Sequence, residues 1–183
     1  MAEYSCVRCL FCNTGRENAV VRSVEQNGWG RAIFAERVKT IRRDGQTIET
    51  LVPLLPGYVF VYSDETNTAR RDELLGLRSV IRVLSYGAGG HDGLTGHDLE
   101  FADWLWRVNG KIGLLKALQV GDRIEIVDGI LKQLHGTITK MDKRKRTIRI
   151  ALDTAGAIRE IWLAYDVVEK LDAEPDEVGP TKE

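Results

Sequence analysis

Hydrophobic residues in this chain form short stretches, and turns containing glycine, asparagine or proline separate them. The most apolar stretch, residues 58–62, reads Tyr-Val-Phe-Val-Tyr and directly follows a Pro-Gly pair. Runs of β-branched and aromatic residues between turn signals are typical of strands. We therefore predict strands at residues 6–11, 31–41, 48–52, 58–62 and 80–84, with a turn at 42–45.

Two stretches instead have apolar residues at every third or fourth position, which predicts helices. The first follows Thr14, which has the form of a capping box together with Glu17, and it ends at the Asn-Gly pair 27–28. The second covers residues 95–108. The side chains expected to be buried are Val20, Val21 and Val24 in the first helix and Leu99, Ala102, Leu105 and Trp106 in the second.

Residues 119–171 have a different pattern, in which short alternating segments are joined by glycine turns. The segment opens with Val-Gly-Asp at 120–122 and returns through His-Gly at 135–136. Its longest predicted hairpin has four consecutive cations, Lys143 to Arg146, at the tip. This pattern predicts a small, tightly curled β-barrel with a basic tip.

Together these elements predict an α+β fold with two parts. Residues 1–110 are expected to form an antiparallel α/β sandwich, and residues 119–171 the small barrel. Residues 111–118 are predicted to be a linker between them. The acidic residues 172–183 are predicted to be a disordered tail.

The charges of the chain are distributed unevenly. Residues 1–110 carry 13 Lys and Arg against 14 Asp and Glu, residues 111–171 carry 12 against 8, and residues 172–183 carry 1 against 5. The three segments therefore have net charges of −1, +4 and −4, which sum to the overall −1. A basic barrel followed by an acidic tail indicates a polyanionic partner.

The three cysteines, Cys6, Cys9 and Cys12, have a spacing that resembles a metal-binding motif. A structural zinc site needs four ligands, however, and the sequence has no second cysteine pair and no closely spaced histidine pair. We therefore expect the cysteines to be small apolar residues of a half-buried strand, and we expect no metal or cofactor. A metal or redox module is the alternative, which elemental analysis would detect.

No phosphate-binding glycine loop has the spacing of a nucleotide-binding enzyme, so we do not expect an enzyme. No apolar run is long enough to span a membrane, and the first residues lack the pattern of a secretory signal. A cytoplasmic protein without a membrane partner is expected.

Residues 54–61, which read Leu-Leu-Pro-Gly-Tyr-Val-Phe-Val, lie upstream of the Val-Gly-Asp motif at 120–122. In this order, the two motifs resemble those of the NusG family of transcription elongation factors over about residues 6–171. The first part is similar to the family's N-terminal (NGN) domain. The other part is similar to its KOW domain, an SH3-like barrel. The resemblance implies that the N-terminal domain binds the clamp helices of RNA polymerase and that the KOW domain recruits another partner.

The polymerase-binding residues implied by the resemblance are Leu55, Tyr58 and Val7. The chain departs from the family here, because members often carry Trp-Tyr where it has Val7-Arg8 and two phenylalanines where it has Leu54-Leu55. Aromatic residues commonly dominate the energetics of interfaces, so we expect a weaker contact with polymerase than that of a general factor.

The KOW-like part departs in a similar way. General factors usually carry Gly-Pro-Phe after the first strand and use the phenylalanine to bind the ribosome, whereas this chain has Gly129-Ile130-Leu131. Ile130 and Leu131 are the residues implied for a ribosomal protein or a termination factor. The cations predicted to bind the backbone of a structured nascent RNA are Lys140, Lys143, Arg144, Lys145 and Arg146.

A second set of cations could contact non-template DNA, as the corresponding region of specialised family members can. These residues are Arg16, Arg22, Lys39, Arg42 and Arg43, and an ordinary solvated surface is the alternative. The basic tip and the residues that differ from the usual family pattern make the chain most similar to specialised antiterminators such as LoaP. The other interpretation is a general elongation factor that couples polymerase to the ribosome or to a termination factor.

Overall fold

The computed structural model describes residues 4–86, 91–120, 123–127, 137–154 and 157–171. Within these ranges the chain forms three helices and twelve strands. The helices are α1 (Glu17–Gln26), α2 (Arg71–Leu75) and α3 (Gly96–Arg107). The strands are β1 (Cys6–Cys12), β2 (Arg31–Ile33), β3 (Glu36–Arg43), β4 (Gln46–Pro53), β5 (Tyr58–Ser63), β6 (Val80–Val83), β7 (Lys111–Ile112), β8 (Leu115–Val120), β9 (Arg123–Ile126), β10 (Thr137–Asp142), β11 (Thr147–Thr154) and β12 (Ala157–Leu171).

The first part of the chain is built on an antiparallel sheet with the strand order β2-β5-β1-β6. Every residue of β5 is buried, because both faces of this sheet are covered. One face, which includes Val59 and Val61, packs against α1 and α2. On the other face, Phe60 contacts Phe101 of α3, with ring centroids 5.6 Å apart. The predicted strands are present, and the predicted strand 31–41 is divided into β2 and β3.

Helix α1 begins differently from the prediction. Arg16 holds its N-cap position, and no side chain caps the helix, so the predicted capping box of Thr14 and Glu17 is wrong. Glu17 is only 3% exposed, and its Oε1 accepts a hydrogen bond from the backbone N–H of Gly57 at 2.7 Å. The carboxylate therefore binds a turn that lies far away in sequence, which local spacing could not reveal. Val20 and Val24 are buried as predicted, whereas Val21 is only partly buried.

Helix α3 buries a wider arc than the sequence indicated. Its buried residues are Phe101, Ala102, Trp104 and Leu105, whereas Leu99 and Trp106 are only partly buried. The helix contacts the four-stranded sheet on one side and β11 on the other. A helix packed between two layers buries more than one stripe, so the predicted single face was too narrow.

A second sheet has the order β4-β3-β7. Strands β3 and β4 form a hairpin, and its two central turn residues, Asp44 and Gly45, have φ values of 52° and 79°. Positive φ at both positions matches the twist of antiparallel strands, and it explains why an Asp-Gly pair lies here. The predicted turn at 42–45 is therefore confirmed.

The third sheet has the order β10-β11-β12-β8-β9 and forms the second part of the chain. The 15-residue strand β12 pairs with β11 through residues 157–164 and with β8 through residues 165–171. One strand that changes partner halfway along its length lets a small sheet curl. The α+β fold class, with an α/β part followed by a small barrel-like part, is confirmed.

Residues 111–118, predicted to be a linker, contain a strand of each part instead. β7 pairs with β3 of the first part, and β8 begins the third sheet at Leu115. Buried residues of both parts, among them Phe101, Leu115 and Ile148, belong to one hydrophobic cluster. The two parts therefore share a core, because α3 lies against β11 and β3 lies against β12. The division into separate domains at residues 1–110 and 119–171 stays a prediction.

Candidate nucleic-acid interface

The basic tip is the turn between β10 and β11, and hydrogen bonds fix its shape. Asp142 Oδ1 accepts a hydrogen bond from the backbone N–H of Lys145 at 2.9 Å. Arg146 has a φ of 50°, and its carbonyl accepts a hydrogen bond from the N–H of Tyr165 on β12 at 2.9 Å. Arg146 also pairs with Asp166 at 3.2 Å. The turn is thus joined to β12 through Arg146.

The cations of the tip lie on the surface, and some of them line different hollows. Lys140, Lys143, Arg144, Lys145 and Arg146 are all exposed, as the RNA-binding prediction requires. Lys143 and Arg146 line a hollow of about 250 Å³ in the barrel, together with Lys170 and Tyr165. Lys145 instead lines a larger cleft of about 400 Å³ between the barrel and β3.

This larger space, which we call the β3–barrel cleft, has walls from both parts of the chain. Its lining residues are Arg37, Lys39 and Thr40 from β3, Asp142, Lys145 and Thr147 from the β10–β11 hairpin, and Trp162 and Ala164 from β12. Burial lowers the pKa of the Arg37 guanidinium, because removal of water disfavours the charged form. Sequence analysis did not identify Arg37 or Trp162, since nothing local indicated that β3 would lie against β12.

The cations predicted to contact DNA are not brought together as one set. Arg16 and Arg22 are exposed and belong to the start and the body of α1, which packs on the four-stranded sheet. Lys39 and Arg43 are exposed on β3 in a different sheet, where Arg43 lies 3.8 Å from Asp44. The side chain of Arg42 lies outside the described residues. Among the residues of the set whose side chains the structure describes, only Lys39 lines the cleft that also contains Lys145.

The residues predicted to bind polymerase are buried, and the strand register separates Val7 from Tyr58, because Val7 lies opposite Tyr62. Val7, Leu55 and Tyr58 are 2%, 5% and 6% exposed and belong to the same hydrophobic cluster. Phe11 lies opposite Tyr58 in the register of β1 and β5, with ring centroids 5.1 Å apart, and it is only partly buried. Sequence analysis missed Phe11, although its place at the end of a predicted strand was a usable signal.

The Pro-Gly-Tyr motif that begins β5 has a clear physical basis. Gly57 has a φ of 85°, a conformation that costs other residues energy. Its carbonyl accepts a hydrogen bond from the Cys12 N–H at 2.7 Å, so β1 and β5 come very close. A Cβ on Gly57 would lie 2.8 Å from the Cys12 carbonyl oxygen and 3.0 Å from the Phe11 ring. Glycine is therefore required where the turn meets β1.

The cysteines lie on opposite faces of the sheet. Cys9 belongs to the cluster beneath α3 and Cys12 to the cluster beneath α1, and none of the three cysteines forms a disulfide bond. Burial, followed by the nearby negative charge of Glu17, raises the pKa of the Cys12 thiol to about 11. In the part of the chain that the structure describes, no group of three metal-ligating side chains could hold an ion.

Some of the predicted residues fall outside the described ranges. Ile130 and Leu131, the predicted partner-binding residues, are among them, as is the acidic tail 172–183. None of the described helices has the length and apolar character that a membrane crossing requires.

The comparisons with known proteins agree with this fold. Residues 8–95 match the NusG family model, described as "Transcription termination factor nusG". No curated protein has a significantly similar sequence. Among solved structures, the one titled "Domain interaction in Thermotoga maritima NusG" is 18% identical, with a TM-score of 0.51, over 87% of this chain and 93% of that one. Residues 8–95 are therefore similar to the NusG family model, and the fold of the chain is similar to that of the Thermotoga maritima NusG structure.

Proposed function

We propose that this chain is a transcription antitermination factor that binds RNA polymerase through its first part and nascent RNA through its basic barrel. The observation that carries the proposal is the tip at 143–146, whose cations are exposed on a turn that is fixed by the Asp142–Lys145 hydrogen bond and by the bonds of Arg146 to β12. Cations on a turn of fixed backbone shape bind a phosphate backbone with less loss of backbone freedom than cations on an unrestrained loop. The net charge of +4 at residues 111–171, from 12 basic and 8 acidic residues, favours the same partner.

The polymerase contact would use the surface around Tyr58, Leu55 and Val7. Because these side chains are almost completely buried, the partly buried Phe11 would make the first contact at the edge of that surface. Arg82 lies over the Phe11 ring at 5.3 Å, so this edge combines an aromatic ring with a cation. Aromatic residues and arginine are enriched at the centres of interfaces.

The test is transcription through an intrinsic terminator with purified polymerase and a structured leader RNA. The intact chain is expected to increase read-through. The double variant Lys143→Gln, Arg144→Gln is expected to lose most of the increase and to fold normally, because neither residue lies in the hydrophobic core. The matched control is Lys111→Gln, Lys116→Gln, which removes two exposed cations that lie outside the tip. Absence of read-through with the intact chain on its own leader would overturn the proposal.

A general elongation factor is the second candidate, and the description of the matching family model, a termination factor, favours it. In that case Ile130 and Leu131 would bind a ribosomal protein or a termination factor. Gel-shift binding to the leader RNA at moderate salt separates the candidates. A specific shift supports the antiterminator, and its absence together with capture of the ribosomal or termination partner supports the general factor. The contact of Arg16 and Arg22 with non-template DNA would be compatible with either role.

A further inference from the structure

We infer that the β3–barrel cleft binds one unpaired nucleotide of an RNA strand, with its phosphate at Arg37, Lys39 and Lys145 and its base against Trp162. This inference deepens the proposed function and rests on it for the choice of RNA. It adds a binding site on β3, outside the tip, and it adds recognition of an unpaired base.

The first argument is the convergence of charge. Arg37 and Lys39 are alternate residues of β3 and therefore lie on one face of that strand. Lys145 reaches the same cleft from the β10–β11 turn, which lies far away in sequence. Asp142 is the only acidic residue among the described lining residues, and its Oδ1 already accepts the hydrogen bond from the Lys145 N–H. The cleft therefore has a net positive charge suited to a phosphate.

The second argument is desolvation. Arg37 is partly buried, and its pKa is lowered because its guanidinium has lost water. An anion bound in the cleft would restore the lost stabilisation, and a guanidinium can bind phosphate oxygens in a bidentate manner. An ordinary solvated surface cation gains far less from such an anion.

The third argument is the aromatic wall. Trp162 and Ala164 are alternate residues of β12, on the face opposite to Ile161 and Leu163, which belong to the core. Arg149 lies over the Trp162 ring at 5.8 Å and pairs with Glu160 at 3.1 Å, which restricts the orientation of the tryptophan. A restrained aromatic ring beside phosphate-binding cations is the usual platform for an unpaired base. A fully paired duplex would offer no free base to this ring.

The experiment measures fluorescence anisotropy of a fluorescein-labelled ten-nucleotide oligouridylate with the full chain, over a series of KCl concentrations. Lys39→Gln is expected to reduce the slope of log Kd against log salt by about 0.7, the value for one lost phosphate contact on a single strand. Lys39→Arg is expected to restore the slope. The matched control is Lys116→Gln, which removes an exposed lysine of β8 that does not line the cleft, and it is expected to leave the slope unchanged.

The base contact is tested with Trp162→Leu. This variant is expected to weaken oligouridylate binding about tenfold while leaving binding of a ten-base-pair DNA duplex unchanged. Equal effects of Lys39→Gln and Lys116→Gln would overturn the site, as would equal effects of Trp162→Leu on single strand and duplex. If Trp162→Leu fails to fold, the intact chain is titrated with an abasic ten-nucleotide strand instead. Weaker binding than that of oligouridylate is expected, and equal binding would overturn the base contact.

The two proposals fail in different ways. The role of the tip depends on Lys143 and Arg144, which do not line the cleft, and on a structured leader RNA. If the tip variants bind and read through normally while Lys39→Gln weakens oligouridylate binding, the tip proposal fails and the cleft stands. If the tip variants lose binding and read-through while Lys39→Gln binds oligouridylate like the intact chain, the cleft proposal fails and the antitermination function stands.

Discussion

Removal of the buried Glu17 carboxylate should destabilise the first part of the chain strongly. Glu17 is 3% exposed and accepts the hydrogen bond of the Gly57 N–H at 2.7 Å. A hydrogen bond to a charged group contributes about 1.5–3 kcal/mol, and its loss would leave the Gly57 N–H without this acceptor. We therefore expect Glu17→Ala to lower the free energy of unfolding by about 3 kcal/mol, once the lost packing is included.

Two further variants separate the hydrogen bond from other effects. Glu17→Gln keeps an acceptor oxygen and loses only the charge and its interaction with the N-terminus of α1, so a loss of about 1 kcal/mol is expected. Glu25→Ala removes an exposed glutamate from the same helix, and a change within about 0.5 kcal/mol is expected.

The assay is equilibrium unfolding in urea, with the free energy obtained by linear extrapolation. Hydrogen exchange at the Gly57 amide gives a local readout, because this amide should exchange faster in Glu17→Ala than in Glu17→Gln. The reasoning is refuted if Glu17→Ala is no less stable than Glu25→Ala, or if the Gly57 amide exchanges equally in both Glu17 variants.

Three other outcomes follow from the geometry and the charges. Gly57→Ala should lower the free energy of unfolding in urea by more than about 2 kcal/mol, because the added Cβ would lie 2.8 Å from the Cys12 carbonyl oxygen. Gly28→Ala should lower it by only about 1 kcal/mol, because Gly28 has a φ of 71° but no neighbouring atom within 4 Å of the added Cβ. The Cys12 thiol, whose pKa is raised from 9.0 to about 11, should stay unreactive to alkylation at pH 8 in the folded chain. The buried thiol stabilises the folded chain fully below pH 9. This stabilisation is lost as the pH rises towards 11, because the unfolded chain loses the thiol proton at a lower pH than the folded chain does. Cys12→Ala should therefore lose stability less steeply over this range than the intact chain, and equal slopes would contradict this linkage. Truncation of residues 172–183, with 1 basic and 5 acidic residues, should tighten binding of the leader RNA at low salt and have little effect at high salt; no change at low salt would contradict the reasoning.

Local patterns in the sequence were sufficient for the elements and for the class of fold. The β-branched and aromatic run at 58–62 predicted the buried strand β5, and the Asp-Gly pair predicted the β3–β4 turn. These predictions succeeded because strand propensity and turn conformation depend on a few consecutive residues. The motif around Pro56-Gly57 also indicated the family, whose model matches residues 8–95.

Only the tertiary structure decided which side chains meet. Glu17 had the spacing of a capping residue, but it binds Gly57, 40 positions away. Residues 111–118 had the position of a linker, but their strands join two sheets, and the shared core buries α3 on two sides. The β3–barrel cleft brings Lys39 to Lys145 and Trp162, which no local pattern could indicate. The sequence determined where strands, turns and charges occur, and packing between distant strands determined which of those charges face one another.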